Sequence, residues 1–159
     1  MPVVAVVLGV LGLIPVVICG LASLSAVAGR EGPGFVAFIT YSAAILAFLG
    51  GVHWGFALAP RTPVAADSRI ERSRLVFGVL PMLAAWFSLM LAWLAHAWAG
   101  LAILIVSFIG AVVIETRASQ RGLVPRGYII LRWVLTVVVL AMLITVLTLR
   151  LLQQRVLIW

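Results

Sequence analysis

Lysine is absent from this chain, cysteine occurs once, and acidic residues number only 4, so that 9% of the residues carry charge. Each shortage excludes something. Soluble domains hold about 25% charged residues. A chain with 65% hydrophobic residues and a mean hydropathy of +1.30 cannot cover itself with polar surface, so a soluble catalytic or binding domain is ruled out. The lone Cys19 forms no internal disulfide; inside an apolar run it reads as a small packing residue. With so little acid, the 11 arginines leave a net charge of +7. They lie in short segments beside apolar runs, where positive charge sets topology and meets anionic headgroups. Lipids, not nucleic acid, are the partners this pattern implies.

What the chain does have is long apolar runs, each near the roughly 20 residues that cross a bilayer as a helix. They predict an all-α integral membrane bundle of five transmembrane helices, forming a single domain over 1–159, with spans at about 3–28, 35–58, 75–95, 98–114 and 128–149. In the first, Ala26-Val27-Ala28 has the look of a cleavage site. No basic residue precedes it, however, and the run exceeds the usual signal core of about 7 to 15 residues, so a retained helix is expected. Pro15 removes a backbone donor and frees a carbonyl near Leu11, which predicts a mild kink.

Polar segments from Pro60 to Arg74 and from Glu115 to Gly127 read as loops, and His96 to Gly100 as a tight hairpin. Arg132, just inside the fifth span, is expected to snorkel toward the interface. The tail from Arg150 to Trp159 is expected to lie in the interface or dock on a partner. Arg61, Arg69, Arg72, Arg74, Arg117, Arg121, Arg126 and Arg132 fall on one face, and Arg30, Arg150 and Arg155 on the other. The positive-inside rule then puts the N-terminus in the cytoplasm and the C-terminus on the opposite face. A bacterial cytoplasmic (inner) membrane or its equivalent is the expected location.

The second span is the richest. Ala43, Ala47, Gly51 and Gly55 recur every fourth residue as a helix-packing stripe, since small residues let backbones approach closely in lipid. His53 and Trp54 follow directly. A histidine within a span normally faces the bundle interior or a hydrated cavity. His53 is therefore expected either to hydrogen-bond a carbonyl freed near Pro81 or to handle protons or a ligand. A chlorophyll-type pigment or haem is the sharpest version, with Gly50 and Gly51 clearing room for the macrocycle. Bis-histidine ligation is excluded by depth: His53 lies about 10 Å to one side of its span centre and His96 about 16 Å to the other. The same reasoning puts His53, Glu115 and Arg132 in one half of the bilayer, where they form a buried polar cluster if their helices are neighbours. Ser42, Ser88 and Ser107 are expected to bond back to their own helices, and Trp54, Trp86 and Trp93 to pack or line a groove. No catalytic set and no metal-ligand cluster is present in the pattern, so an enzyme is not expected.

Three stretches carry a resemblance: Tyr41 to Gly55 with its Gly50-Gly51-Val52-His53-Trp54-Gly55 element, Val79-Leu80-Pro81 followed by Ala85-Trp86, and Pro125 through Tyr128, Leu131-Arg132 and Leu135-Thr136. On these the chain resembles an uncharacterised family of small polytopic membrane proteins that includes mitochondrial transmembrane protein sixty-nine. Glu115 stands where that pattern has aspartate, and Gly127 where it has an aromatic residue. The resemblance implies a membrane location and no activity. Small size, the missing catalytic set and the apolar tail lead to the expectation of a non-catalytic accessory or assembly subunit of a larger energy-transducing (respiratory or photosynthetic) membrane complex, partnered by other integral membrane subunits. The alternatives are a small transporter or channel built on the His-Glu-Arg cluster, or a pigment-, haem- or quinone-binding subunit using His53.

Overall fold

A computed structural model of the chain describes residues 3–24, 32–58, 68–120 and 126–156. Six helices carry them: α1 (Val3–Leu11), α2 (Ile14–Leu24), α3 (Pro33–Leu58), α4 (Ser68–Leu94), α5 (Ala97–Gln120) and α6 (Arg126–Val156). α1 and α2 are two halves of one crossing, so five stretches are long and apolar enough to span a membrane: Val3–Leu24, Pro33–Gly55, Leu75–Leu94, Ala97–Gln120 and Gly127–Gln153.

The expected kink lies at the Gly12–Leu13 turn between α1 and α2. Pro15 cannot donate there, and the Tyr41 hydroxyl of α3 donates to the Gly12 carbonyl at 3.0 Å. The helix is interrupted where a neighbour supplies the missing partner. At the start of α3, Pro33 occupies the first turn, where its missing N–H costs nothing, and Phe35 N–H donates to the Gly32 carbonyl.

The helices pack as a closed ring. α2 contacts α3, α3 contacts α4, α4 contacts α5, α5 contacts α6, and α6 returns to α2; α3 also reaches α5 across the middle. α3 is the hub: 44% of its span is buried, against 11 to 28% for the others. Its buried seam runs Phe35, Phe38, Ile39, Ser42, Ala43, Leu46, Leu49 and Gly50, the spacing of one helical face. Most other large apolar side chains point outward, as lipid-facing residues do.

The tightest crossing is between α3 and α4. A Cβ on Gly50 would strike the Gly78 carbonyl, and one on Gly78 would strike the Trp54 ring. One turn along, Trp54 Nε1 donates to the Leu75 carbonyl at 3.1 Å. The α4–α5 hairpin turns through Ala95 and His96, with the His96 ring stacked on Trp98. It is stapled by Ser88 Oγ donating to the Gly100 carbonyl at 2.8 Å. Ser88 therefore bonds across helices and not back to its own.

Three boundaries differ from expectation. α4 begins at Ser68, within the segment read as a loop, and α5 continues to Gln120, past Glu115 and Arg117. α6 runs on to Val156, so most of the tail is helical. At its far end the Arg150 guanidinium lies 3.5 Å from the centre of the buried Phe35 ring.

Candidate functional site

Helical spacing explains which polar side chains face inward. Along α5 the buried positions are Gly100, Leu101, Leu104, Phe108, Val112 and Glu115, which from Leu101 onward fall in steps of three or four that keep one face. Along α6 they are Arg132, Thr136, Val139, Leu143 and Val146. A carboxylate thus ends one apolar seam where a guanidinium begins the next. α5 and α6 are neighbours, and the two groups meet.

Arg132 Nε donates to Glu115 Oε2 at 2.6 Å, and both side chains are almost fully buried, at 3% and 1% exposure. Arg132 Nη1 donates to Thr136 Oγ1 at 2.9 Å, one turn along the same helix. Next to this pair, Trp133 Nε1 donates to Thr116 Oγ1 at 3.1 Å, and Thr116 in turn donates to the Val112 carbonyl. Two cross-helix bonds at adjacent positions set the register of α5 against α6. Tyr128, one turn before Arg132, interacts electrostatically with both charges.

The third member comes from α3. His53 continues that helix's buried face, and its Nε2 stands 3.5 Å from Glu115 Oε1. The expected partner near Pro81 is replaced by a carboxylate. The expected snorkelling of Arg132 is likewise corrected: Glu115 compensates its charge inside the bundle, which removes the drive to reach the interface. Glu115 belongs to a helix core, not to a loop.

The cluster is incompletely bonded. Among the described residues neither Glu115 Oε1 nor Arg132 Nη2 has a hydrogen-bond partner, although both atoms are buried. Buried polar groups left unmade cost about 1–3 kcal/mol each, more when charged. The two residues line different cavities. His53 and Glu115 line one of about 160 Å³ with Leu49, Pro81, Ser107 and Gly110. Arg132 lines another of about 350 Å³ between α1, α3 and α6, where Gly12, Tyr41 and Ala44 contribute. Leu49 borders both. The ion pair stands in the partition between two spaces.

Of the remaining predicted site residues, Ala43 is buried and Ala47 partly so, while nothing lies within 4 Å of a Cβ at Gly51 or Gly55. A strict four-residue repeat advances about 40° per step on a helix of 3.6 residues per turn, so it winds about 120° from Ala43 to Gly55. The stripe therefore leaves the buried face, and Gly50 makes the close approach in place of Gly51. Gly78 occupies the room above Gly50, one of the two glycines expected to clear space for a macrocycle beside His53, while Gly51 stays open. His53 and His96 sit near opposite ends of α5, about 28 Å apart at 1.5 Å per residue. Among the described residues no three His, Cys, Asp or Glu side chains gather as a metal site. Thr136 and Tyr128 were legible only as parts of the resemblance motif; the seam spacing on α6 is the signal that points to Thr136.

Fold and site together define a small polytopic membrane protein with a buried ionic cluster where three of its helices meet. The chain belongs to the family described as "Protein of unknown function (DUF3429)", which it matches over residues 1–148. It is 42% identical over 88 residues to Transmembrane protein 69 of Xenopus tropicalis, a match that covers 54% of this chain and 32% of the relative. The chain thus aligns with about a third of that relative's length. No solved structure matches it.

Proposed function

We propose that this protein is a small intramembrane transporter or carrier whose working site is the His53–Glu115–Arg132 cluster. The observation that carries this reading is a pair of buried atoms, Glu115 Oε1 and Arg132 Nη2, without hydrogen-bond partners among the described residues, on two residues that line different cavities. Ionisable groups inside a membrane are costly and mark ligand paths or proton relays. A pair kept only for stability gains nothing from two empty valences.

The arrangement supports proton exchange. Glu115 and Arg132 neutralise each other, so protonation of His53 takes the cluster from net neutral to a single positive charge. A protonated imidazole is a donor at both nitrogens, and a small shift from 3.5 Å brings Nε2 into bonding range of Oε1. One proton thus switches both the charge of the site and the availability of the carboxylate.

Purified protein in liposomes loaded with a pH-sensitive dye tests this. Proton flux above that of empty vesicles is expected, with Glu115→Gln and His53→Ala each reducing it about tenfold or more. Equal flux in all three proteins sinks the proposal.

A second reading, the accessory or assembly subunit of an energy-transducing complex, is favoured by the open side of α3. Gly51 and Gly55 offer a smooth, unoccupied surface suited to close approach by another helix. Gly51→Leu is then expected to abolish co-migration with a membrane partner on native gels without lowering the protein's own melting temperature. Unchanged migration counts against it. Under either reading, the arginine-rich loops are proposed to face the cytoplasm or matrix.

A further inference from the structure

We propose that the groove between α1, α3 and α6 binds a neutral, carbonyl-headed lipophilic molecule of the quinone type, its carbonyl accepting from Arg132 Nη2. This names a ligand class for the carrier site proposed above and rests on that reading. The groove encloses about 350 Å³, within the roughly 300–1,000 Å³ of small-molecule sites. Its walls are mostly apolar, with Leu8, Ile45, Phe48, Phe108, Leu135 and Val139 among them, and Arg132 is the one charged residue lining it among the described residues. From Arg132 to Val139 it follows α6 for about 10 Å, enough for a ring and the first part of a tail.

Two observations choose the head group. Arg132 Nη2 is a buried N–H donor without a partner among the described residues, in a side chain only 3% exposed. The ligand must therefore bring an acceptor. Arg132 is already neutralised by Glu115 at 2.6 Å, so a second anion would leave the buried cluster with net negative charge, and charge burial without a partner is expensive. A neutral carbonyl fills the valence at no such cost. Entry is from the lipid side, where Leu8, Ala44 and Phe48 are exposed at the groove's rim.

The test uses the full chain in nanodiscs and a decyl-benzoquinone bearing a photoreactive group, with labelled peptides mapped by mass spectrometry. Saturable labelling on α1, α3 and α6 is expected, displaced by unlabelled decyl-benzoquinone and not by equal oleate. Ala44→Trp, which fills the groove without touching the charges, should weaken labelling about tenfold or more. Arg132→Lys keeps the charge beside Glu115 but loses the second N–H arm; a similar tenfold loss is the size of one charged hydrogen bond. Val106→Ala, exposed on α5 and lining neither cavity, should label like the wild type. Unsaturable labelling, labelling of Ala44→Trp equal to wild type, or displacement by oleate as strong as by quinone overturns the proposal. Binding is read without flux, so saturable labelling in a protein that moves no protons would preserve this inference and remove the transport reading, and the converse result would do the opposite.

Discussion

At Arg132 the guanidinium makes two bonds inside the bundle, to Glu115 Oε2 and Thr136 Oγ1, and its Nη2 has no hydrogen-bond partner among the described residues. This is an expensive way to hold two helices together. Breaking such a pair from one side costs about 3–5 kcal/mol, while replacing both members with apolar residues of similar size is often neutral or stabilising. Glu115→Ala is therefore expected to lower the melting temperature sharply, and Glu115→Leu combined with Arg132→Leu to restore it while proton flux stays lost. Thermal unfolding in detergent read beside liposome flux checks this. A double variant as unstable as the single one would mean that the pair serves architecture through its geometry.

Among the elements, α3 shows how a repeat and a packing face differ. Alanine and glycine every fourth residue look like one stripe in sequence, yet the helix turns 3.6 residues per turn, and the close crossing with α4 uses Gly50 and Gly78. Gly50→Ala forces the Gly78 backbone to move, an overpacking of about 1–3 kcal/mol. Gly51→Ala and Gly55→Ala meet nothing within 4 Å and exchange a poor helix former for the best one. Melting temperatures should fall for the first and hold or rise slightly for the other two. α5 carries a related lesson. Its apolar run stops at Ile114 in sequence, but the helix continues to Gln120, because Arg132 on a neighbouring helix neutralises the carboxylate that would otherwise halt burial.

For the whole molecule, five crossings with uneven arginine distribution lead to the proposed orientation. Single cysteines introduced at Arg61 and Ser119 in a Cys19→Ala background should react with a membrane-impermeant thiol reagent only after the inner face is opened. Labelling of intact cells or right-side-out vesicles would reverse the assignment.

Membrane residence and the number of spans were legible in the chain itself, because each rests on composition along one segment. Hydropathy needs no partner to be read, and neither does the depth of His53 or Arg132 along its own helix. Which faces meet was decided only by the tertiary structure. The charge on Arg132 pointed outward to the interface until α5 supplied Glu115 at 2.6 Å, and Glu115 looked like loop until its seam was seen to end against α6. A buried charge is permitted or forbidden by its neighbour, and that neighbour is 17 residues away in sequence. Local pattern carries no record of it.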